Sequence, residues 1–519
     1  MNLITNKDLF DLVKSLSKSE KRFLKLNAAA TNQQKVLIQF FDELEKEKEY
    51  NEELFIKPHK SKHGLFQAQS QLSESLYDLI LQCLRGFYAE SSASFTIKDE
   101  ITDILNLFDK AQYKQCRKVL NKLKQEAYKY ERFHFILEII SLEKMLIAVE
   151  NQFGIVHTTI ERLITEEKAL IQKAKNLGDY TILFSKINMM TRQSSKAKNK
   201  TDVIALDDLL NSPLLKDEGL AQSKRAQVIY HDCRSALFAK KQENEKRRKE
   251  CEALIRIMDK HPELMEEMPK RYLSAINNLI AISYENRHFK ACHEYIKLLR
   301  DKAELKAFNT TDLQLKIFTS TYNAELITYT DSGKYENALQ AINNIEEGLA
   351  RFKGKINKEE VLIFYYNIAL LHAYAGEYSK ALDYINLILS QGDKLLRQDL
   401  QCFARIINIG LHYELGRLKP LRYIISSVKE YYKTQPSLFK TEMLILSYFE
   451  KLAAEGVTAK QDEIAFFKSF YKDLKEVMKD KHEQSVKLYF DIETYTESKL
   501  TGKSINTLLN EKYEKAWVN

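Results

Sequence analysis

Residues able to form a nucleotide site or a catalytic centre are scarce in this sequence. Gly502-Lys503-Ser504 matches the end of a phosphate-binding loop, but that loop needs a glycine where Glu497 stands, and a strand before it. The patterns G-x-G-x-x-G, G-x-S-x-G and H-E-x-x-H do not occur. Carboxylates alternate with lysines, as they do on ordinary exposed faces, so no acid/base pair stands out. We therefore predict no catalytic residue, no cofactor and no enzymatic activity.

Potential metal ligands are equally sparse. His59 and His63 have a spacing that could bind a metal on a helix, but Pro58 and Gly64 predict a loop, where both side chains are solvated. The cysteines show no C-x-x-C spacing, which predicts reduced, buried thiols rather than a zinc site or a redox pair. We expect no metal site. The six cysteines are Cys83, Cys116, Cys233, Cys251, Cys292 and Cys402.

Positive charge is concentrated in the middle of the chain. The formal net charge is +8, and the excess lies within residues 101–250. Such an excess can attract acidic proteins or nucleic acid. The interleaved Glu243, Glu245 and Glu250 favour an ordinary solvated helix face instead, so nucleic acid is the less favoured partner. The candidate basic patch consists of Lys196, Lys198, Lys200, Lys246, Arg247 and Arg248.

Composition predicts that helices form almost the whole chain. Only 14 glycines and 6 prolines occur among 519 residues, whereas strand-and-turn proteins need these residues at many tight turns. The opening residues, MNLITNKDLFDLVK, lack the basic and apolar parts of a signal peptide. The most apolar stretch, residues 133–149, is interrupted by charges and does not predict a membrane span. We predict a cytoplasmic protein without a membrane segment.

Residues 1–95 predict an N-terminal helical module. Ser17 and Glu20 have the spacing of a capping box, which marks the start of a helix. Further helices are expected over residues 33–48 and 67–88, separated by the polar link KPHKSKHG at 57–64. Residues 91–96 are expected to be a linker. The short-helix, link, long-helix arrangement could be a helix-turn-helix.

From residue 97 onwards the sequence predicts pairs of helices with a recurring joint between the two members. Each joint has an apolar helix, a short polar turn, an aromatic residue or leucine, and a small or apolar residue three positions later. The last four joints recur at intervals of about 40–46 residues, which is typical of helical repeats. Glycine stands in three of the turns, where a left-handed conformation ends the first helix. The joints are Tyr113 with Cys116, Phe289 with Cys292, Gly333 with Tyr335 and Ala338, Gly376 with Tyr378 and Ala381, and Gly416 with Leu418 and Leu421.

This joint resembles that of the tetratricopeptide repeat. The match is fullest at Gly376, Tyr378 and Ala381, with Ile368 and Ala369 at the apolar and small positions of the first helix. The period exceeds the standard 34 residues, the first-helix tryptophan and the terminal proline are missing, and residues 150–270 show no clean joint. The resemblance implies an all-α fold in which antiparallel helix pairs form a right-handed superhelix.

We accordingly divide the chain into four predicted regions. Residues 1–95 are the N-terminal module, and residues 96–270 are irregular helical hairpins with basic character. Residues 271–435 are the tetratricopeptide-like repeats, and residues 436–519 are a C-terminal helical cap, because terminal repeats must cover the exposed end of the core.

An extended repeat array without catalytic residues predicts a scaffold that binds a protein or peptide segment on its concave side. The alternative is a regulator, in which residues 1–95 bind nucleic acid or an effector and the repeats act as a sensor. His372 and His412 occupy equivalent first-helix positions and could line one surface, but partial burial between helices is the favoured interpretation. Helical phase predicts that the exposed partner-binding residues are Tyr329, Tyr366, Asn367, Leu370 and Tyr374.

Overall fold

Every regular element that the structure describes is a helix, as the composition predicts. The computed structural model describes residues 5–27, 32–55, 69–88, 93–150, 156–193, 200–391, 396–433, 439–455, 460–480 and 483–517. The chain divides into two units, Met1–Asp179 and Tyr180–Asn519, and the division falls within one long helix.

Unit 1 contains two hydrophobic cores, one formed by residues between 9 and 83 and one by residues between 97 and 170. A short 3₁₀ helix, Glu52–Phe55, follows the third helix. The helices are α1 (Asn6–Ser15), α2 (Lys18–Asn27), α3 (Asn32–Lys46), α4 (Gln69–Tyr88), α5 (Ala93–Asp109), α6 (Tyr113–Lys129), α7 (Phe133–Glu150) and α8 (Val156–Gln193), of which α8 continues into unit 2.

The capping box at the start of α2 is confirmed. The Ser17 N–H donates to the Glu20 carboxylate at 2.5 Å, and the Glu20 N–H donates to Ser17 Oγ at 3.3 Å. The predicted link at 57–64, with His59 and His63, lies outside the described residues. The linker expected at 91–96 is wrong from residue 93, because α5 begins at Ala93 and buries Ile97.

Unit 2 is likewise helical throughout its described regular elements. Short 3₁₀ helices occur at Glu218–Leu220, Lys306–Phe308, Glu483–Leu488 and Glu514–Trp517. The α-helices are α9 (Lys200–Leu210), α10 (Pro213–Lys216), α11 (Lys224–Lys241), α12 (Asn244–Lys260), α13 (Pro262–Glu267), α14 (Pro269–Glu285), α15 (Phe289–Lys302), α16 (Thr311–Asp331), α17 (Tyr335–Arg351), α18 (Lys358–Tyr374), α19 (Tyr378–Leu389), α20 (Gln398–Glu414), α21 (Leu418–Tyr432), α22 (Lys440–Glu455), α23 (Lys460–Val477), α24 (Ile492–Thr501) and α25 (Ile505–Tyr513).

Four successive helix pairs, α14/α15, α16/α17, α18/α19 and α20/α21, dominate this unit. Neighbouring helices along the chain pack against each other, both within a pair and from one pair to the next. The small or apolar residue after each joint is fully buried, as at Cys292, Ala338, Ala381 and Leu421. Close approach of the two helices therefore depends on a small side chain or a well-fitted apolar one at that position.

The joints share one backbone geometry. At Gly333, Gly376 and Gly416 the φ angle is +69°, +82° and +68°, as predicted. In the joint at Gly376, its N–H donates to the carbonyl oxygen of Ala373 at 3.1 Å, and the next N–H donates to that of His372 at 2.8 Å. These two bonds define a Schellman motif, which satisfies the last carbonyl groups of the first helix.

The same motif also occurs where the sequence gives no glycine. Ala111, Glu131, Gln242 and Arg287 have φ angles between +48° and +60°, and each makes the same pair of backbone hydrogen bonds. In all these cases the next helix begins two residues later. The expectation that residues 150–270 lack a clean joint is therefore wrong at Gln242, which was missed because neither glycine nor an aromatic residue marks it.

Gly348 offers a test of the close approach between α16 and α17. A Cβ atom added at Gly348 would overlap the buried ring of Phe318, whereas one added at Gly410 in α20 would meet no atom within 4 Å. We expect Gly348→Ala to destabilise the protein by about 2 kcal/mol through overpacking. Gly410→Ala should stabilise it by about 0.5–1 kcal/mol, since alanine favours helix over glycine.

Urea unfolding followed by circular dichroism at 222 nm measures both changes. Equal unfolding midpoints for the two variants would contradict the close contact between Gly348 and Phe318.

Candidate functional site

The chain ends in a segment that folds back over helices much earlier in the sequence. This C-terminal segment, residues 483–517, contains α24, α25 and the two last 3₁₀ helices. It contacts α16, α18 and α20, which are first helices of their pairs, and the beginning of α15. We call the area that it covers the first-helix surface. This surface is the candidate site because a polypeptide occupies it.

The beginning of the segment is fixed by a helix N-terminus. The carboxylate of Glu483, which is 2% exposed, accepts hydrogen bonds from the N–H groups of Lys440 and Thr441 at 2.9 and 3.0 Å. Both N–H groups belong to the first turn of α22, where they lack partners within the helix and favour a negative charge.

Two tyrosines of α18 bind the main chain of the segment. Tyr366 Oη donates to the carbonyl oxygen of Tyr489 at 3.0 Å, and Tyr374 Oη accepts from the N–H of Asp491 at 2.9 Å. Burial raises the pKa of both phenols well above the usual 10, so both stay neutral. Hydrogen bonds to main-chain groups do not depend on the identity of the bound side chains.

The ring of Tyr489 is held by α20. It stacks on Phe403 with a centroid distance of 4.4 Å and an interplanar angle of 7°, and its hydroxyl donates to Asp399 at 3.1 Å. Burial, together with the neighbouring Asp399 carboxylate, raises the pKa of Tyr489 to about 12. This ring therefore combines apolar contact with one hydrogen bond.

A buried carboxylate at the end of α20 binds the middle of the segment. Glu414 accepts a hydrogen bond from Tyr495 Oη at 2.7 Å and forms an ion pair with Lys499 at 2.6 Å. The side chains of Glu414 and Lys499 are only 8% and 19% exposed. An ion pair this well buried is costly to break, because the remaining charge would be left without compensation.

At the next joint the segment lies directly on the backbone of Gly333. A Cβ atom at this position would overlap the carbonyl oxygen of Asn506 and the amide nitrogen of Asn510. Glycine is thus required here twice, once for its positive φ angle and once for the close approach of α25.

The segment ends in an aromatic cluster. Trp517, the only tryptophan of the chain, stacks on Tyr329 with a centroid distance of 5.6 Å and an interplanar angle of 12°. The rings of Phe289 and His293 lie 6.0 and 6.3 Å from it. One turn earlier, the ring of Tyr513 lies 5.6 Å from that of Phe289.

The structure places the five predicted partner-binding residues differently from the prediction. Tyr329, Tyr366, Leu370 and Tyr374 are at most 8% exposed, so their predicted exposure is wrong. Asn367 is half-buried and donates to Asn323 at 3.4 Å. The three tyrosines contact the C-terminal segment directly, and Leu370 belongs to the hydrophobic core. That these residues bind a separate partner stays a prediction.

Important residues of this surface escaped the sequence reasoning. Phe403 and Glu414 lie outside the joint pattern, and Trp517 stands in a region where that pattern has ended. A single tryptophan near the end of the chain was the one signal that could have pointed to an anchored segment.

The described part of the predicted basic patch is largely compensated. Lys246 pairs with Glu243 at 2.6 Å, and Arg248 pairs with Glu245 at 3.0 Å. Arg247 donates to the Asn278 side chain at 2.6 Å. Lys196 and Lys198 lie outside the described residues, and Lys200 is the first residue of α9, with no description of its side chain.

His372 lies beside a cavity between α17 and α19. It is 4% exposed, its Nδ1 lies 2.8 Å from Glu377, and its ring stacks on Tyr384 at 6.0 Å. The cavity, of about 490 Å³, is also lined by Glu346 and Lys380. His412 is half-buried. Both histidines thus lie partly or fully between helices.

The described residues offer little reactive chemistry. All six cysteines are free and buried, and burial raises the pKa of Cys233 and Cys402 to about 12, so their thiols are protonated at neutral pH. No group of three potential metal ligands occurs in the described ranges.

No described helix is both long enough and apolar enough to span a bilayer. Comparisons with protein-family models, with curated proteins and with solved structures found no match to this chain.

The burial of His372 predicts that the stability of the folded protein depends on pH. Burial lowers its pKa from the usual 6.5, although the Glu377 carboxylate opposes that shift. The unfolded chain therefore binds a proton more readily than the folded chain, and stability is lost as the pH falls below about 6.5. We expect His372→Gln to reduce the difference between the urea midpoints at pH 7.5 and pH 5.5.

Glu377 does not titrate in this range, because hydrogen bonds from Tyr335 and Lys380 lower its pKa to about 2. The half-buried His412, whose pKa is also lowered, remains in both proteins. An undiminished pH difference in His372→Gln would contradict the assignment.

Proposed function

We propose that this chain is a non-enzymatic, cytoplasmic scaffold that binds a protein or peptide segment without a cofactor. In this proposal the four helix pairs are degenerate tetratricopeptide-like repeats, stacked as a right-handed superhelix. Support comes from the recurring Schellman joints and from the buried residue that follows each joint.

One observation carries the proposal: the first-helix surface holds a polypeptide segment. It does so through main-chain hydrogen bonds from Tyr366 and Tyr374, through ring contacts, and through the ion pair of Glu414. These are the contacts by which protein surfaces generally bind peptides, since buried aromatic residues contribute most of the binding energy. In a superhelix of this kind the first helices line the concave side.

The regulator hypothesis has less support. Two basic side chains of α2, in the same N-terminal module as the predicted helix-turn-helix, are engaged with α3. Lys21 pairs with Glu45 at 3.2 Å, and Lys25 pairs with Asp42 at 2.7 Å. Compensated charges of this kind release few counterions when DNA is bound.

Crosslinking in a cell extract tests the scaffold and separates it from the regulator. We expect the tagged full-length chain to retain one or a few proteins that excess untagged chain displaces. Lysine-reactive crosslinks should join them to exposed lysines of the first helices, namely Lys270, Lys316 and Lys358. Direct titration of the purified partner then measures Kd.

Capture of no protein that untagged chain displaces would refute the scaffold. Partner crosslinks confined to Lys7, Lys18 and Lys35, combined with salt-dependent binding of duplex DNA by the full chain, would favour the regulator instead.

A further inference from the structure

The C-terminal segment makes the contacts of a bound ligand. It runs opposite to the order of the helix pairs, from Phe403 and Glu414 in α20 to Phe289 in α15. A repeat that merely covered the end of the array would instead pack on the last pair. α22 and α23 do that, since α22 packs on both α20 and α21, and α23 packs on α22. α24 also packs on α23, but beyond α24 the segment continues to α16 and α15, far from the last pair.

We infer that the C-terminal segment is a built-in competitor that occupies the first-helix surface and must leave before a partner polypeptide binds there. This inference rests on the proposed scaffold function and adds its regulation. It also specifies the partner as a polypeptide that offers a lysine to Glu414 and aromatic side chains to Phe403 and to the Tyr329 cluster.

The fit of the segment is incomplete in two places, as expected for an exchangeable occupant. An apolar cavity of about 40 Å³ remains between Phe490, Tyr495 and Ile505 of the segment and Ile407 and Gly410 of α20. The buried indole N–H of Trp517 has no hydrogen-bond acceptor within the described ranges. A buried donor without an acceptor costs free energy that a better-fitting occupant would recover.

Separate anchors make stepwise release possible. Between the contacts of Lys499 with α20 and of Asn506 with Gly333, residues 501–504 are exposed. Gly502 forms a left-handed turn there, with φ +72°, and no atom lies within 4 Å of the position that a Cβ atom would take. The anchors on either side of this turn can therefore be weakened independently.

Tethering explains why such a segment competes effectively. A segment on the same chain has an effective concentration in the millimolar range, so a free partner binds only in proportion to the fraction of molecules from which the segment has dissociated. Weakening the segment should therefore strengthen binding in trans by the same factor.

Two pairs of full-length variants test the inference. From the segment side, Lys499→Met removes the ion pair with Glu414, and Lys503→Met is its control, because Lys503 pairs with Glu511 inside the segment at 2.8 Å. From the array side, Gly333→Ala forces an overlap with the backbone of α25. Gly376→Ala is its control, with a similar φ angle and no atom within 4 Å of the added Cβ.

Trp517 reports release directly, because it is the only tryptophan. In Lys499→Met and Gly333→Ala we expect its emission to shift to the red and its quenching by acrylamide to increase. Loss of the buried ion pair should raise the dissociated fraction about tenfold, after allowance for the partial exposure of Lys499. Both control variants should match the native chain.

A fluorescein-labelled synthetic peptide of residues 483–519 is the probe for binding in trans. Fluorescence anisotropy should show an apparent Kd about tenfold lower for Lys499→Met than for the native chain or Lys503→Met. The affinity of Gly333→Ala for the peptide should increase less, because the added methyl group also obstructs the incoming peptide.

Native Trp517 quenching and native peptide affinity in both test variants, with unchanged circular dichroism, would overturn the inference. So would loss of helical circular dichroism in both, because the segment would then be an integral part of the fold. If only one of the two variants loses its helical circular dichroism, the Trp517 quenching and the peptide affinity of the other variant decide the test.

The two proposals fail separately. A captured partner with equal Kd for the native chain and Lys499→Met would refute the competitor and leave the scaffold standing. If Lys499→Met binds the labelled peptide more tightly but the cell extract yields no captured partner, only the scaffold proposal is refuted.

Discussion

Each reversal of the chain in the helix pairs depends on one residue in the left-handed conformation. A helix that ends leaves carbonyl groups without intrahelical partners, and the two hydrogen bonds of the Schellman motif satisfy them while turning the chain back. The same two bonds recur from Ala111 to Gly416. At Glu131, Gln242 and Arg287 a side chain accepts this conformation at a cost of about 1–2 kcal/mol, which packing of the helix pair offsets.

Such pairing buries the first helices on several sides, so their polar groups need internal partners. In α16, Thr321 and Thr328 donate to the carbonyl oxygens four residues earlier at 2.7 and 2.6 Å. Glu325 receives two hydrogen bonds from Arg300, at 3.1 and 2.7 Å. The helix is therefore buried although its sequence lacks a clear apolar face, because nearly every polar atom is satisfied locally or by one neighbour.

The C-terminal segment uses the ends of these same helices. Tyr374 and Glu414 are the last residues of α18 and α20, so each stands two residues before its left-handed glycine. The helix ends at which the chain reverses therefore also place the hydroxyl group of Tyr374 and the carboxylate of Glu414 along one side of successive helix pairs. An occupant that follows this side meets a regular series of polar anchors separated by aromatic rings.

The amino-acid sequence by itself determined the helical class, the joints at Gly333, Gly376 and Gly416, and the capping box at Ser17. These are local properties, since a cap or a left-handed turn depends on residues within a few positions of each other. It also indicated Tyr329, Tyr366 and Tyr374 as residues of one surface. Only the tertiary structure decided that these tyrosines are buried, because the segment that covers them lies more than a hundred residues away from Tyr366 and Tyr374. The spacing of residues within one helix contains no information about a contact with residues so distant in the sequence.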